Sequence, residues 1–432
     1  MIEKVLEKAG RAVDSAEVYS FENSKVEVSF ESGKLKSAEE KRFSGMGLRV
    51  IHGGKIGFSS STDPGRLDEM MEHASAASEF GKKVEFNFPG TADHIRVDTY
   101  DPAVETYSPA AAIDEGKRAV SELRERVPKG MTDVRISAST STIRLVNTAG
   151  LDVTYDATDF THFVTTVIID GDSILWIGDG GHYGNLNIRT DDYVKKISDL
   201  AKKAERKAPR TSGNVPVIFT AEELPNLLRS IEMGIDGKRL LKGESPLIGR
   251  EGERMLSSVT LIDDPFIDHA PGSRPFDAEG VPSQKNILFE DGVFRSFLFD
   301  LDTAGKTGRT TTASAERSAL SIPAIGPSNM AMSPGSSSLE EMIGKIDRGV
   351  IVYGVLGGGQ SNLLAGDFAL NIMLGFLIQK GEIIGRLLDT MVSGNVYNSF
   401  SSIALTGSET RLVGSNMVVP DVMFSEISLS SR

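Results

Sequence analysis

Histidine and acidic side chains are the first candidates for chemistry in a chain without a thiol. The 432 residues contain no cysteine. Disulfides, thiolate nucleophiles, Cys-ligated zinc and Fe–S clusters are therefore excluded. The six histidines stand at 52, 73, 94, 162, 182 and 269, and no HExxH, HExxxH or other close pair occurs. The densest group is Asp263-Asp264-Pro265-Phe266-Ile267-Asp268-His269, which offers hard oxygen ligands and one imidazole. A metal or hydrolytic site built on Asp264, Asp268 and His269 needs three or four convergent ligands. The competing reading is a surface turn whose acids cap backbone or face water. His182, in Gly178-Asp179-Gly180-Gly181-His182, reads as a loop histidine.

Phosphate and acyl-transfer motifs fail on spacing. Gly305-Lys306-Thr307 resembles the end of a phosphate loop, but Asp300 stands where its first glycine belongs. Gly178–Gly184 places its third glycine one residue too late for a dinucleotide fingerprint. Gly359-Gln360-Ser361-Asn362-Leu363 lacks the closing glycine of a nucleophile elbow.

The stretch that the remaining elements must position is Val350–Ile384. It reads as three apolar runs, Val350–Val355, Phe368–Phe376 and Leu377–Ile384, joined at Gly357-Gly358-Gly359 and at Ala365-Gly366-Asp367. Glycine lets a second backbone approach closely or the chain adopt positive φ. A sheet edge at such a corner holds an extended peptide through main-chain hydrogen bonds. A tight turn in a buried barrel is the alternative.

Upstream, an amphipathic helix over Ile2–Val13 precedes alternating runs at Glu17–Phe21, Lys25–Glu31, Leu35–Arg42, Gly45–Ile51 and Lys55–Ser60, the pattern of an antiparallel meander. Asp63 and Ser108 are N-cap candidates for helices over Gly65–Ser78 and Pro109–Arg126. Strands are expected at Asp133–Ser139, Ser141–Asn147, Asp152–Phe163 and Val164–Ile169, and a helix over Asp191–Lys207. The Pro/Gly-containing stretch 208–214 separates two domains, 1–208 and 214–432. The second opens with a strand at Pro216–Thr220 and a helix at Ala221–Ile231, where Thr220 and Glu223 have capping-box spacing. It continues mostly as strands, including Ser258–Ile262, Lys285–Glu290, Val293–Leu298, Ser399–Leu405 and Val418–Ile427. Ser333–Ser338 reads as a mobile Gly/Ser loop. The expected fold is α+β: an N-terminal antiparallel sheet with packed helices and a C-terminal β-barrel-like domain.

A net charge of −13 argues against nucleic-acid binding, which needs a basic footprint. No apolar run approaches the ~20 residues of a membrane span, and the charged N-terminal helix is unlike a signal peptide. A cytoplasmic protein is expected.

Two segments need a more specific explanation. One is Gly272-Ser273-Arg274-Pro275-Phe276-Asp277-Ala278-Glu279-Gly280-Val281 with the ILFEDGVFRSFLFDLDTAGKTG that follows. The other is Gly359-Gln360-Ser361 through Gly366-Asp367, then GFLIQKGEI and Ser393-Gly394-Asn395. With Glu17-Val18-Tyr19, Gly45–Val50 and Lys55–Phe58, their order resembles the TldD/PmbA family, once described as modulators of DNA gyrase. The resemblance covers nearly the whole chain.

The resemblance implies a metallopeptidase-related protein acting on unfolded or precursor peptides. Its TldD-type subunits carry HExxxH on a helix, a downstream cysteine and a catalytic zinc; PmbA-type (TldE) subunits lack these ligands and pair with them. Here the corresponding helix, Leu224–Gly234, holds no histidine, and Val413 or a neighbour stands at the thiol position. The resemblance therefore implies a PmbA/TldE-type chain with no catalytic or metal residues of its own. Zinc is expected in a TldD-type partner. Gly357, Gly358, Gly359 and Ser361 are the candidate peptide-groove residues. A self-sufficient hydrolase built around Asp264, Asp268 and His269 and a homodimeric peptide-binding protein are the alternatives.

Overall fold

A computed structural model describes residues 2–171, 173–357 and 362–431. The N-terminal half is built on a six-stranded antiparallel sheet. Its strands are β1 (Ser15–Glu31), β2 (Lys34–His52), β3 (Lys55–Ser61), β4 (Gly130–Asn147), β5 (Asp152–Asp170) and β6 (Ser173–Tyr183), in the order β3-β2-β1-β4-β5-β6. The alternation in Val26–Phe30 is realised, with Val28 and Phe30 buried.

The expected short runs merge into long strands. No turn separates Phe21 from Lys25, because the polar interruption is satisfied within the sheet: Asn23 donates to the Thr140 carbonyl at 3.2 Å and to Ser141 Oγ at 3.0 Å. Similarly, Ser139 and Ser141 lie within continuous β4. His182 is not in a loop but in β6, paired with Thr161. The density of glycine conceals this strand from sequence reading. A Cβ at Gly180 would sit 2.4 Å from the His162 carbonyl oxygen, so the glycine serves close approach to β5.

Helices α1 (Ile2–Ala12) and α2 (Leu67–Glu79) pack beside β2 through Val5, Ala9, Leu48, Val50, Met70 and Ala74. Asp63 does cap its turn, accepting from Gly65 N at 2.7 Å, but the first turn is 3-10 and the α-helix begins at Leu67. After the short α3 (Pro102–Glu105), Ser108 caps α4 (Pro109–Arg126) by accepting from Ala111 N at 3.2 Å. Helix α5 (Thr190–Ala204) ends before Lys207. Leu123, Phe160, Val164, Tyr193 and Ile197 share a core with Ile218, Ile351 and Phe376 of the C-terminal half, so one core spans both halves.

In the C-terminal half, five strands close into a barrel: β7 (Gly213–Phe219), Arg348–Gly357, Asp367–Gln379, Thr390–Asn395 and Met417–Ser431. β7 pairs parallel with Arg348–Gly357 and antiparallel with Met417–Ser431, completing the ring. The runs Phe368–Phe376 and Leu377–Ile384 are divided differently from expectation. The strand continues through Gln379 and turns at Lys380-Gly381, both at positive φ. Val217, Phe219, Leu227, Ile231, Val352 and Phe424 are fully buried in one cluster that includes helix α6 (Pro225–Gly234).

Three further expectations are corrected. Thr220 and Glu223 form no capping box: the Thr220 hydroxyl makes no cap bond, and Asp421 Oδ1 accepts from Ala221 N instead at 2.8 Å. Ser399 and Phe400 belong to a short helix, Val396–Phe400, because Asn395 caps it; the strand starts at Ile403. Residues 333–338 are tied down: Ser333 N donates to the Thr260 carbonyl, Gly335 N to the Gly407 carbonyl, and Ser338 caps the helix Leu339–Gly344 in a capping box with Glu341.

The segment 272–281 joins the two halves through buried charge. Arg49 of β2 donates to Glu17 of β1 through Nε and Nη2, both at 2.9 Å, and through Nη1 to Glu279 at 2.7 Å. Arg317 also donates to Glu17, at 2.6 Å, while stacking over Tyr19. All four charged side chains are almost fully buried. Burial in a charged cluster survives only with such pairing.

Candidate functional site

The candidate site lies where strand Arg348–Gly357 leaves the barrel. Its pairing with β7 stops at Val352, while its pairing with Asp367–Gln379 continues to Gly357. Among the described residues, the edge over residues 354–357 therefore has no strand beside it on the β7 side. Gly357 has φ of 111°, a conformation that favours glycine. Gly358, Gly359 and Ser361 lie outside the described residues.

One side chain occupies this edge. Glu223, just before α6, accepts from Val355 N at 3.2 Å and from Asn226 Nδ2 at 3.0 Å. Burial pushes its carboxyl up to about 7, against the pull of the Val355 N–H. Its neighbour Glu222 behaves oppositely. Burial alone would raise it, but Lys196 at 2.7 Å and Arg411 at 2.8 Å hold it down to about 2. Lys196 also meets Asp179 of β6 at 3.2 Å. A charged cluster thus links the N-terminal sheet, α5 and the barrel beside the open edge.

The returning end of the corner is anchored by Ser393-Gly394-Asn395. Asn395 Nδ2 donates to the Ala365 carbonyl at 2.8 Å and to Asp367 Oδ1 at 3.0 Å, while its Oδ1 accepts from Tyr397 N at 3.1 Å. Gly366 is at φ 86°, and a Cβ there would lie 2.8 Å from the Tyr397 ring. The Tyr397 hydroxyl donates to the Ser230 carbonyl of α6 at 3.4 Å. The glycines and the asparagine of this motif thus seat the corner on α6. Sequence reading found the motif but not the roles of Asn395, Tyr397 or Glu223, which depend on contacts distant along the chain.

The exposed and half-buried residues of α6 include Arg229, Glu232 and Met233. Burial, reinforced by nearby Glu316, raises the Glu232 carboxyl, and Arg229 partly offsets this. A single carboxylate with an arginine close by does not fit the needs of a zinc ion, which takes nitrogen, sulfur or several oxygens in a tetrahedral set. Among the described residues, no group of three or more His, Cys, Asp or Glu has metal-holding geometry.

The residues 263–269 are not brought together as a site. Asp263 accepts from Ser328 N and Asn286 Nδ2, and Asp264 pairs with Lys285 at 2.7 Å and caps Phe266 N. Asp268 accepts from Asp98 N at 3.2 Å. His269, at φ 56°, uses its backbone to hold Asp98 and Gly184. Asp264 and Asp268 accept from backbone as the blander reading expected, but Asp263 ends the strand Leu261–Asp263, and Asp263 and Asp264 are buried rather than on a surface turn. His182 meets Thr161 Oγ1 at 2.9 Å. Gly305 lies on a helix against the Glu85 carbonyl, which leaves no phosphate cradle.

Comparison with known proteins bears on this architecture. Residues 16–78, 102–211 and 212–431 match, respectively, domain 1, the central domain and the C-terminal domain of the PmbA/TldA metallopeptidase models. The chain belongs to the PmbA/TldD family. A family relative, an uncharacterized protein of Methanocaldococcus jannaschii, is 28% identical, with 98% of this chain and 97% of that protein covered. A metalloprotease of Methanothermobacter thermautotrophicus is 29% identical over 88% of this chain and 85% of its own. Among solved structures, TldE from Thermococcus kodakarensis superposes with a TM-score of 0.92 at 25% identity over both full chains. A putative modulator of DNA gyrase from Thermotoga maritima shares the fold, with a TM-score of 0.91 at 23% identity over both full chains. No helix among the described residues is long and apolar enough to cross a membrane.

Proposed function

We propose that this PmbA/TldD-family chain is a TldE-type subunit that binds and guides an extended peptide, while a TldD-type partner supplies zinc and cleaves it. The observation that carries the reading is the helix α6. Its residues, PNLLRSIEMG, include no imidazole, and the chain has no thiol anywhere. A polypeptide without those ligands cannot activate water on zinc by the family's HExxxH route.

The open edge at residues 354–357 supports the guiding role. An extended peptide adds to such an edge by main-chain hydrogen bonds, with little side-chain chemistry required. Gly357, Gly358, Gly359 and Ser361 remain the proposed groove residues, and Glu223, on Val355 N of the open edge, is the group an incoming strand must displace or join. Substrates would be unfolded or precursor peptides, handled in the cytoplasm.

The test is metal analysis of the purified chain together with a peptide-cleavage assay, with and without a TldD-type partner. Cleavage that requires the partner supports the proposal. Stoichiometric zinc with cleavage by this chain alone refutes it.

A further inference from the structure

A cavity lies where the outer strand Glu382–Arg386 meets the N-terminal half. Its volume is about 860 Å³, and it is walled by the ends of α4 and α5, by β5 and β6, and by Arg386 of the outer strand Glu382–Arg386. Arg386 is 4% exposed. Its backbone is clamped on both sides, with Arg386 N donating to the Arg206 carbonyl at 2.7 Å and Ala208 N donating to the Arg386 carbonyl at 2.8 Å.

The guanidinium is poorly served. Nη2 donates to Ser173 Oγ at 2.8 Å, while Nε is buried without an acceptor among the described residues. No described carboxylate forms an ion pair with it. Asp170 is its acidic neighbour, but Lys207 engages that carboxylate at 3.5 Å. A buried cation left without a counter-charge is costly.

The rest of the cavity wall is nearly balanced. Asp199, Lys202 and Glu205 are spaced three residues apart along the end of α5, Lys129 lines the same space, and Arg126 pairs with Glu122 at 3.5 Å. Among the described residues of the wall, the buried positive charge without an ion pair is the one on Arg386. A monoanionic carboxylate matches that charge and the planar guanidinium. A dianionic phosphate would also have to face Asp170, Asp199 and Glu205.

We propose that this cavity binds the carboxylate of a small ligand of short-peptide size, with Arg386 as the carboxylate receptor and Ser173 as the residue that orients it. The space far exceeds one carboxylate, so the remainder of the ligand lies along Leu175 and Ile168. The inference stands apart from the peptide edge and from any partner subunit.

The experiment titrates the full chain with N-acetyl-trialanine, with its C-terminal amide, and with inorganic phosphate, by calorimetry and by methyl NMR. The free acid is expected to bind and to shift the Ile168 and Leu175 methyls. The amide is expected to bind at least tenfold more weakly, as is the acid to Arg386→Gln. Arg386→Lys, which keeps the charge but not the planar fork, provides a second variant, and thermal melts show that each is folded. Equal affinity for acid and amide would overturn the proposal. So would absence of acid binding, methyl shifts confined to other regions, tighter binding of phosphate, or unchanged affinity in either folded variant.

Discussion

Arg49 and Glu279, separated by 230 positions in sequence, meet at 2.7 Å with both side chains almost fully buried. The contact ties the second strand of the N-terminal sheet to the 272–281 segment of the other half. Because Arg49 simultaneously satisfies Glu17, it is the hinge pin of the charged cluster.

Replacing Arg49 with Met is expected to destabilise the chain by about 3–5 kcal/mol, because two buried carboxylates lose their shared partner while Arg317 still serves only one. Urea denaturation gives the value. A loss below about 1 kcal/mol, the size of an exposed pair, would show that the cluster is not a strut.

Lys196 makes a comparable junction between Asp179 of β6 and Glu222 next to α6. Lys196→Met leaves Asp179 without its ion pair, whereas Glu222 keeps Arg411. The expected cost is roughly 2–3 kcal/mol, less than for Arg49, because one of the two acids retains a partner. Faster backbone hydrogen exchange in β6 and α5 should accompany it.

Asn395 holds the returning end of the glycine corner. Asn395→Ala is expected to cost about 1–2 kcal/mol through the lost helix cap and loop bonds. Hydrogen exchange should rise around residues 362–367 and hardly at all in β1–β6. Gly366→Ala should perturb the same region, since its Cβ would meet the Tyr397 ring at positive φ. Peptide binding that survives both changes at full strength would argue against the corner as a groove wall.

Glu223 gives a pH signature. Its value rises from 4.5 to about 7 on folding. Across that window the folded chain retains a proton that the unfolded chain has released, so its contribution to stability is present at low pH and is lost as pH rises. Glu223→Gln should remove this slope. The check is the difference in unfolding midpoint between wild type and Glu223→Gln at about pH 5 and about pH 8; a constant difference would contradict the assignment.

Local devices were the most legible part of the sequence. Asp63 and Ser108 cap where their side chains and the following prolines predict. Between the strands expected at Lys285–Glu290 and Val293–Leu298, Asp291 and Gly292 turn at positive φ, as a hairpin requires, although the second strand stops at Phe294. The α+β class with a mostly β C-terminal half followed from periodicity, while the family came from motif order and the barrel with that resemblance. What could not be read was the pairing of distant polar groups. Nothing local to Asn23 says that Thr140 will satisfy it, so a continuous strand looked broken. Gly178–His182 looked like a loop because glycine signals a turn and close strand approach equally. Asn395 and Glu223 gained roles only when the barrel brought the corner, α6 and the strand edge together.

Barrel closure carries a consequence for the order of assembly. β7 opens the C-terminal half, yet one of its two neighbours in the ring is Met417–Ser431, roughly 200 residues further along, a separation whose closure entropy must be met before the ring gains stability. During synthesis β7 would wait with an unmatched edge while the intervening strands emerge, a state in which a chaperone or a neighbouring nascent chain could engage it. The N-terminal sheet pairs only within its own residues and could mature first, leaving Arg49 and Glu17 poised for Arg317 and Glu279 to arrive.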